Sequence, residues 1–248
     1  MSPLSEAILA GVVLVAIVAT ATISIRGFLS RRPDTSSVKG SALLGSQLRS
    51  WYFENLQPFE DALVARGVAP TWITAAQAVA SLGIAGAYAA GWLFLAGWLV
   101  LAIGSFDIID GRVARRTGTA SDRGAFLDSV FDRYADALAY VGLALYFRSS
   151  VVLWAVLLAL VGASMVSYAR ARAEALGVGC DVGTFQRPER TVVLGLGTIG
   201  SVLFDRITGP WLDVPDDVGL AGILVLMAVM TNASAAQRIW HVNRELGG

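Results

Sequence analysis

The chain has 248 residues, 55% of them hydrophobic and only 15% charged, where a soluble domain carries about 25% charged residues. That balance excludes an ordinary soluble domain, because long apolar stretches need a bilayer. The formal net charge is zero, so bulk electrostatics favour no partner and nothing points to nucleic acid.

The first apolar span is residues 7–25. No Lys or Arg precedes it, while Arg26, Arg31, Arg32 and Lys39 follow it. That order predicts an uncleaved span with its N-terminus outside, rather than a signal peptide. The N-terminal transmembrane segment is therefore assigned to residues 1–29, and the polar, Ser- and Gly-containing stretch 30–46 to a linker. In residues 47–66, Leu48, Trp51, Tyr52, Leu56, Phe59 and Leu63 recur near a helical period with charges between them. This predicts an amphipathic helix lying in the membrane interface, with Pro58 as a candidate kink.

Residues 67–248 read as a six-helix membrane domain. Spans are predicted at about 71–91, 93–114, 122–147, 151–176, 190–207 and 217–240, divided by turn signals such as Thr117-Gly118-Thr119 and Ser149-Ser150. The fold class is thus an all-α integral membrane protein. Of 19 Lys and Arg residues, only Arg148 and Arg206 fall on the outer side of this topology, a strong positive-inside bias. It places the 177–189 loop and the C-terminus in the cytoplasm. Trp92, Trp98, Trp154 and Trp211 are candidate interfacial anchors. Cys180 and His241 are each alone of their kind, so neither a disulfide nor a His/Cys metal cluster is expected. Gly195-x-Gly197-x-x-Gly200 is read as close helix packing.

The chemistry concentrates in residues 107–132. Asp107 and Asp110 are three apart and Asp128 and Asp132 four apart, so each pair shares one helix face. Carboxylates gathered near a bilayer are costly unless a cation sits between them. All-oxygen ligation suits Mg²⁺, or Mn²⁺. Gly111, Ala114 and Gly124 lie beside the acidic face, and leave either room for a flat ligand or a helix contact. Arg115 can pair a phosphate oxygen bidentately.

The full spacing is D-x2-D-G-x2-A-R-x8-G-x3-D-x3-D, from Asp107 through Gly111, Ala114, Arg115 and Gly124 to Asp132. It resembles the signature of the CDP-alcohol phosphotransferases at every specified position. The resemblance covers residues 47–245 and implies a six-helix membrane fold, a homodimer and two divalent ions. It also implies the reaction: an alcohol attacks the phosphorus of a CDP-linked lipid and CMP leaves. By that likeness Asp107, Asp110, Asp128 and Asp132 hold the metals, and Asp132 is also the base that takes the acceptor's proton. Gly111, Arg115 and Ser121, with Gly124, border the CDP moiety. Pro70, Thr71 and Ile73 match a stretch that also borders the nucleotide.

The acceptor is read from other residues. Ser167–Gly177, Arg187-Pro188-Glu189-Arg190 and Gln237-Arg238 resemble phosphatidylinositol phosphate synthases, whose three basic residues at these places hold inositol phosphate. They map to Arg170, Arg190 and Arg238. On charge alone the three arginines are either an anion site or positive-inside anchors. The expected partners are CDP-diacylglycerol, a phosphorylated polyol and membrane lipid, at a cytoplasm-facing site in the cell's inner membrane. The alternatives are the same transfer to glycerol phosphate, serine or inositol, and, from another class, a divalent-cation transporter.

Overall fold

The computed structural model describes residues 46–208 and 217–247. They form seven α-helices, and there is no strand among the described residues. The expected span at 7–25 and Trp211 lie outside them. The chain divides into two compact units, Met1–Arg66 and Gly67–Gly248. In the first, α1 (Ser46–Ala65) runs as one helix through Pro58.

The second unit contains α2 (Pro70–Ala89), α3 (Leu93–Thr117), α4 (Asp122–Tyr146), α5 (Val152–Ala175), α6 (Arg187–Thr208) and α7 (Val218–Gly247). Local chemistry sets their ends. Proline opens α2, where its missing N–H is of no consequence. Gly118 ends α3 in the left-handed region at φ 66°, directly after Arg115 and Arg116 in the last turn. Ser121 then caps α4, its hydroxyl accepting from Gly124 N at 3.2 Å. A short connection therefore turns the chain between the two aspartate-bearing helices.

Three boundaries differ from the sequence reading by three residues or more. Helix α3 runs to Thr117 rather than 114. The sixth helix begins at Arg187 rather than 190, because Pro188 sits within its first turn instead of ending the loop. The seventh continues to Gly247 instead of stopping near 240.

Packing closes the six helices into a ring in the order α2, α4, α5, α7, α6, α3 and back to α2. Its core includes Tyr88, Ala96, Leu143, Leu220, Leu224 and Met227, each fully buried. Within it Tyr88 Oη and Thr198 Oγ1 hydrogen-bond at 2.9 Å, satisfying two polar groups that lipid could not. Glycine permits the α3–α6 crossing: a Cβ on Gly97 would stand 2.8 Å from Gly195 O. Gly197 is similarly tight against Ile223, but Gly200 has open space around it. The packing role expected of that glycine triplet thus belongs to its first two members.

Five helices, α2, α3, α5, α6 and α7, are long and apolar enough to cross a membrane. Val79, Leu82, Trp154, Leu158, Val225 and Val229 point outward from the bundle, as lipid-facing side chains do. Trp92 also faces outward, whereas Trp98 packs edge-on against Phe94 at 6.4 Å. The protein is a multi-pass membrane protein. Helix α4 has the same length as α3, but Asp122, Arg123, Asp128, Asp132 and Arg133 crowd its first half, and Asp136 follows just beyond it. An apolar bundle tolerates such a helix only where its charges face inward or reach water.

Candidate active site and metal centre

Asp107 and Asp110 occupy the second half of α3, and Asp128 and Asp132 the first half of α4. One oxygen from each of Asp107, Asp110 and Asp128 lies within 4.8 Å of the others. Three carboxylates at this spacing, from two helices, fit a hard divalent cation. Asp128 Oδ1 is buried without a hydrogen-bond partner, a free acceptor of the kind a metal would take. Asp132 is buried beside this group.

Helix α2 orients two of the four. Thr74 Oγ1 donates to Asp110 Oδ2 at 2.7 Å, and Gln77 Nε2 to Asp132 Oδ1 at 3.3 Å. Both donors are buried. Sequence reasoning missed them, although Thr74, Gln77 and Ser81 recur at helical spacing along one side of an otherwise apolar span. Such outer hydrogen bonds fix carboxylate rotamers before a ligand arrives.

Helix α6 brings two cations. Arg187 Nη1 stands 2.5 Å from Asp107 Oδ2, and its Nη2 2.9 Å from Asp132 Oδ1. Its Nε lies 3.4 Å from Asp136 Oδ1, and Arg190 Nη2 2.8 Å from Asp136 Oδ2. Asp136 was not singled out from the sequence, and Arg187 was named only within the Arg187-Pro188-Glu189-Arg190 stretch, without a role. Asp136 continues the spacing of Asp128 and Asp132 by one further turn, and this was the available signal. Five carboxylates thus meet two guanidinium groups, an imbalance that leaves room for divalent positive charge.

The predicted CDP-binding residues surround the connection between α3 and α4. A Cβ on Gly111 would meet only the Arg115 guanidinium, at 3.5 Å, and one on Gly124 only Ser121 Oγ, at 3.3 Å. Neither glycine touches another helix, so helix packing does not account for them. Ser121 serves as the helix cap, and Arg115 is exposed. Thr71 is exposed at the start of α2 beside Pro70, whereas Ile73 is buried in the core.

The three arginines predicted for the acceptor have different surroundings. Arg190 is buried and paired with Asp136. Arg170 is exposed, bound to Glu174 at 2.8 Å and facing Asp181 at 3.5 Å. Arg238 is buried and donates to two backbone carbonyls, Val182 O at 2.8 Å and Val166 O at 2.6 Å. Arg170 and Arg190 both lie near enough to act electrostatically on Arg238. Behind Arg187 and Arg190, a cavity of about 40 Å³ extends past Gln77 and Asp136 to Met227. It has room for a few waters and not for a sugar phosphate.

Residues 67–234 match the family described as CDP-alcohol phosphatidyltransferase, and the chain belongs to that family. It is an enzyme, a transferase of substituted phosphate groups, and not a transporter. The chain is 33% identical to a phosphatidylinositol phosphate synthase of Streptomyces avermitilis over 228 residues, 87% of this chain and 89% of that protein. It is 31% identical to an archaetidylinositol phosphate synthase of Methanothermobacter thermautotrophicus, over 77% of this chain and 92% of that protein. The crystal structure of Mycobacterium tuberculosis phosphatidylinositol phosphate synthase with CDP-DAG bound superposes with a TM-score of 0.64 at 30% identity, covering 75% of this chain and 92% of that one. A second structure of that enzyme, in complex with manganese and citrate, gives 0.63, covering 75% and 87%.

Proposed function

We propose that this protein transfers the phosphatidyl group of CDP-diacylglycerol to inositol phosphate and releases CMP. The observation that carries the reading is the convergence of Asp107, Asp110 and Asp128, with Asp132 beside them, in a chain with relatives named phosphatidylinositol phosphate synthase and archaetidylinositol phosphate synthase. Asp107, Asp110, Asp128 and Asp132 would hold two divalent ions, Mg²⁺ by the usual preference of oxygen ligands. When bound, such ions neutralise the pyrophosphate and stabilise the departing phosphate.

The chain's own residues do the rest. Gly111 and Gly124 leave the acidic face open on the side of the α3–α4 connection, where Arg115 can pair a phosphate oxygen. By the family resemblance, Ser121, Pro70 and Thr71 would border the nucleotide, in a stretch whose Ile73 is buried in the core. Asp132 takes the proton of the acceptor hydroxyl as its oxygen bonds to the lipid-side phosphorus and the bond from that phosphorus to CMP breaks. Gln77 holds Asp132 in place from α2. Arg190, near the catalytic acids, and Arg170 and Arg238 behind it supply positive charge for the acceptor's own phosphate. The active site faces the cytoplasm at the inner membrane, as the charge distribution predicts, and the working unit is a homodimer.

An acceptor panel tests this reading. Purified protein receives labelled CDP-diacylglycerol, Mg²⁺ and one candidate alcohol at a time. Inositol phosphate is expected to give labelled lipid and CMP, with glycerol phosphate, serine and free inositol at background. Equal turnover with free inositol would remove the acceptor assignment and leave the reaction class standing.

A further inference from the structure

Asp136 lies one turn beyond Asp132, so Asp128, Asp132 and Asp136 form one acidic stripe along α4. The first two face the aspartates of α3, while Asp136 faces α6. Its Oδ2 accepts from Arg190 Nη2 at 2.8 Å and its Oδ1 from Arg187 Nε at 3.4 Å. Helices α4 and α6 are not neighbours in the ring, so these bonds reach across its interior. Arg190 is only 4% exposed, and Asp136 is its one carboxylate partner among the described residues. A buried guanidinium without a partner is strongly unfavourable and moves toward the nearest available anion.

We propose that Asp136 is a positioning residue for the acceptor: it holds Arg190 in the orientation that receives the acceptor phosphate. The proposal rests on the assignment of Arg190 to that phosphate. Asp136 occupies one nitrogen of Arg190, so the remaining N–H donors are free for a ligand. Without the Asp136 charge, Arg187 keeps Asp107 and Asp132 as partners, whereas Arg190 loses the carboxylate that fixes its orientation.

The test is a double-variant cycle in the purified full-length enzyme, with KM read separately for inositol phosphate and CDP-diacylglycerol. Asp136→Asn is expected to raise the acceptor KM roughly ten- to hundred-fold, the loss of one charge-assisted contact. The KM for CDP-diacylglycerol should change less than about two-fold on the same argument. Asp136→Glu keeps the charge and displaces it, so its acceptor KM should lie between wild type and Asp136→Asn. In an Arg190→Ala background, Asp136→Asn should have no further effect on acceptor KM. Should Asp136→Asn not fold, Asp136→Glu carries the test through the same selective rise. Losses confined to kcat or to thermal stability would mark a purely structural pair and overturn the proposal. Independent, multiplying effects in the double variant would overturn it while the acceptor assignment stood. An Arg190→Ala enzyme with unchanged acceptor KM would remove both.

Discussion

Arg187 Nη2 lies 2.9 Å from Asp132 Oδ1 while Nη1 of the same guanidinium lies 2.5 Å from Asp107 Oδ2. One side chain thus bridges the carboxylate assigned as base and a carboxylate assigned to the metal. A guanidinium is a fixed positive charge with a fork of donors, so it occupies the position in which a cation would join those two residues. If Asp107 and Asp132 hold a second divalent ion, Arg187 would have to leave at least one of them. Arg187→Gln should bind that ion more tightly than wild type, on the order of ten-fold for the loss of one charge-assisted pair. Titration with Mn²⁺ followed by electron paramagnetic resonance counts the sites and reads their affinities without turnover. An unchanged second-site affinity would show that the bridge does not compete.

Thr74 gives a complementary prediction. Its hydroxyl donates to Asp110 Oδ2 at 2.7 Å and makes no direct contact with the ligand oxygens of Asp107 or Asp128. Thr74→Val keeps the shape and removes the donor. Metal affinity or activity should fall roughly 10- to 100-fold, as for other outer partners of metal ligands. Asp128→Asn should instead abolish CMP release while leaving a folded, membrane-inserted protein. Calorimetric Mg²⁺ binding separates the two: weakened in Thr74→Val, lost from the site in Asp128→Asn.

Orientation is tested by labelling. Ser149 lies in the exposed turn between α4 and α5, and Thr184 in the loop between α5 and α6. A cysteine at Ser149 should react with an impermeant thiol reagent added to intact cells, and one at Thr184 should not. The native Cys180 is buried at 2% exposure, and a Cys180→Ala background removes its signal. Reversed labelling would place the aspartates outside the cell and refute the orientation.

Much of the fold was legible because apolar runs, turn residues and caps agree locally. The Thr117-Gly118-Thr119 turn was readable as punctuation, and together with the Ser121 cap that the structure adds it brings the two aspartate pairs together. Partners supplied from other helices were less legible. Thr74 and Gln77 look like ordinary polar residues in a membrane span until α2 packs against α3 and α4. Asp136 lies outside the motif, and its meaning depends on α6 crossing the ring interior. Arg187 was hidden by Pro188, which reads equally as the end of a loop or the first turn of a helix. Arg238 was placed with Arg190 by the family resemblance, and neither that nor its charge distinguishes a ligand-facing arginine from one that binds backbone.

That difference separates two variants expected from the sequence to behave alike. Arg238 donates to Val166 O in α5 and to Val182 O in the following loop. Gly183 packs beside it, where a Cβ would stand 3.2 Å from Arg238 Nε. The same loop is tied to α7 by Phe185 N, which donates to Ser234 Oγ at 3.1 Å. Arg238→Ala leaves two carbonyls without their donors and should cost about 1.5–3 kcal/mol for each charged hydrogen bond lost. Its melting temperature in detergent should fall, and its acceptor KM should rise because the loop loosens. Arg190→Ala removes a cation whose only carboxylate partner among the described residues is Asp136. It should raise acceptor KM roughly 10- to 150-fold, the equivalent of about 1.5–3 kcal/mol, with KM for CDP-diacylglycerol little changed. Thermal unfolding alongside initial-rate kinetics distinguishes them. If Arg238→Ala keeps the wild-type melting temperature and raises only the acceptor KM, its backbone bonds are incidental and its remaining nitrogen faces the acceptor phosphate directly.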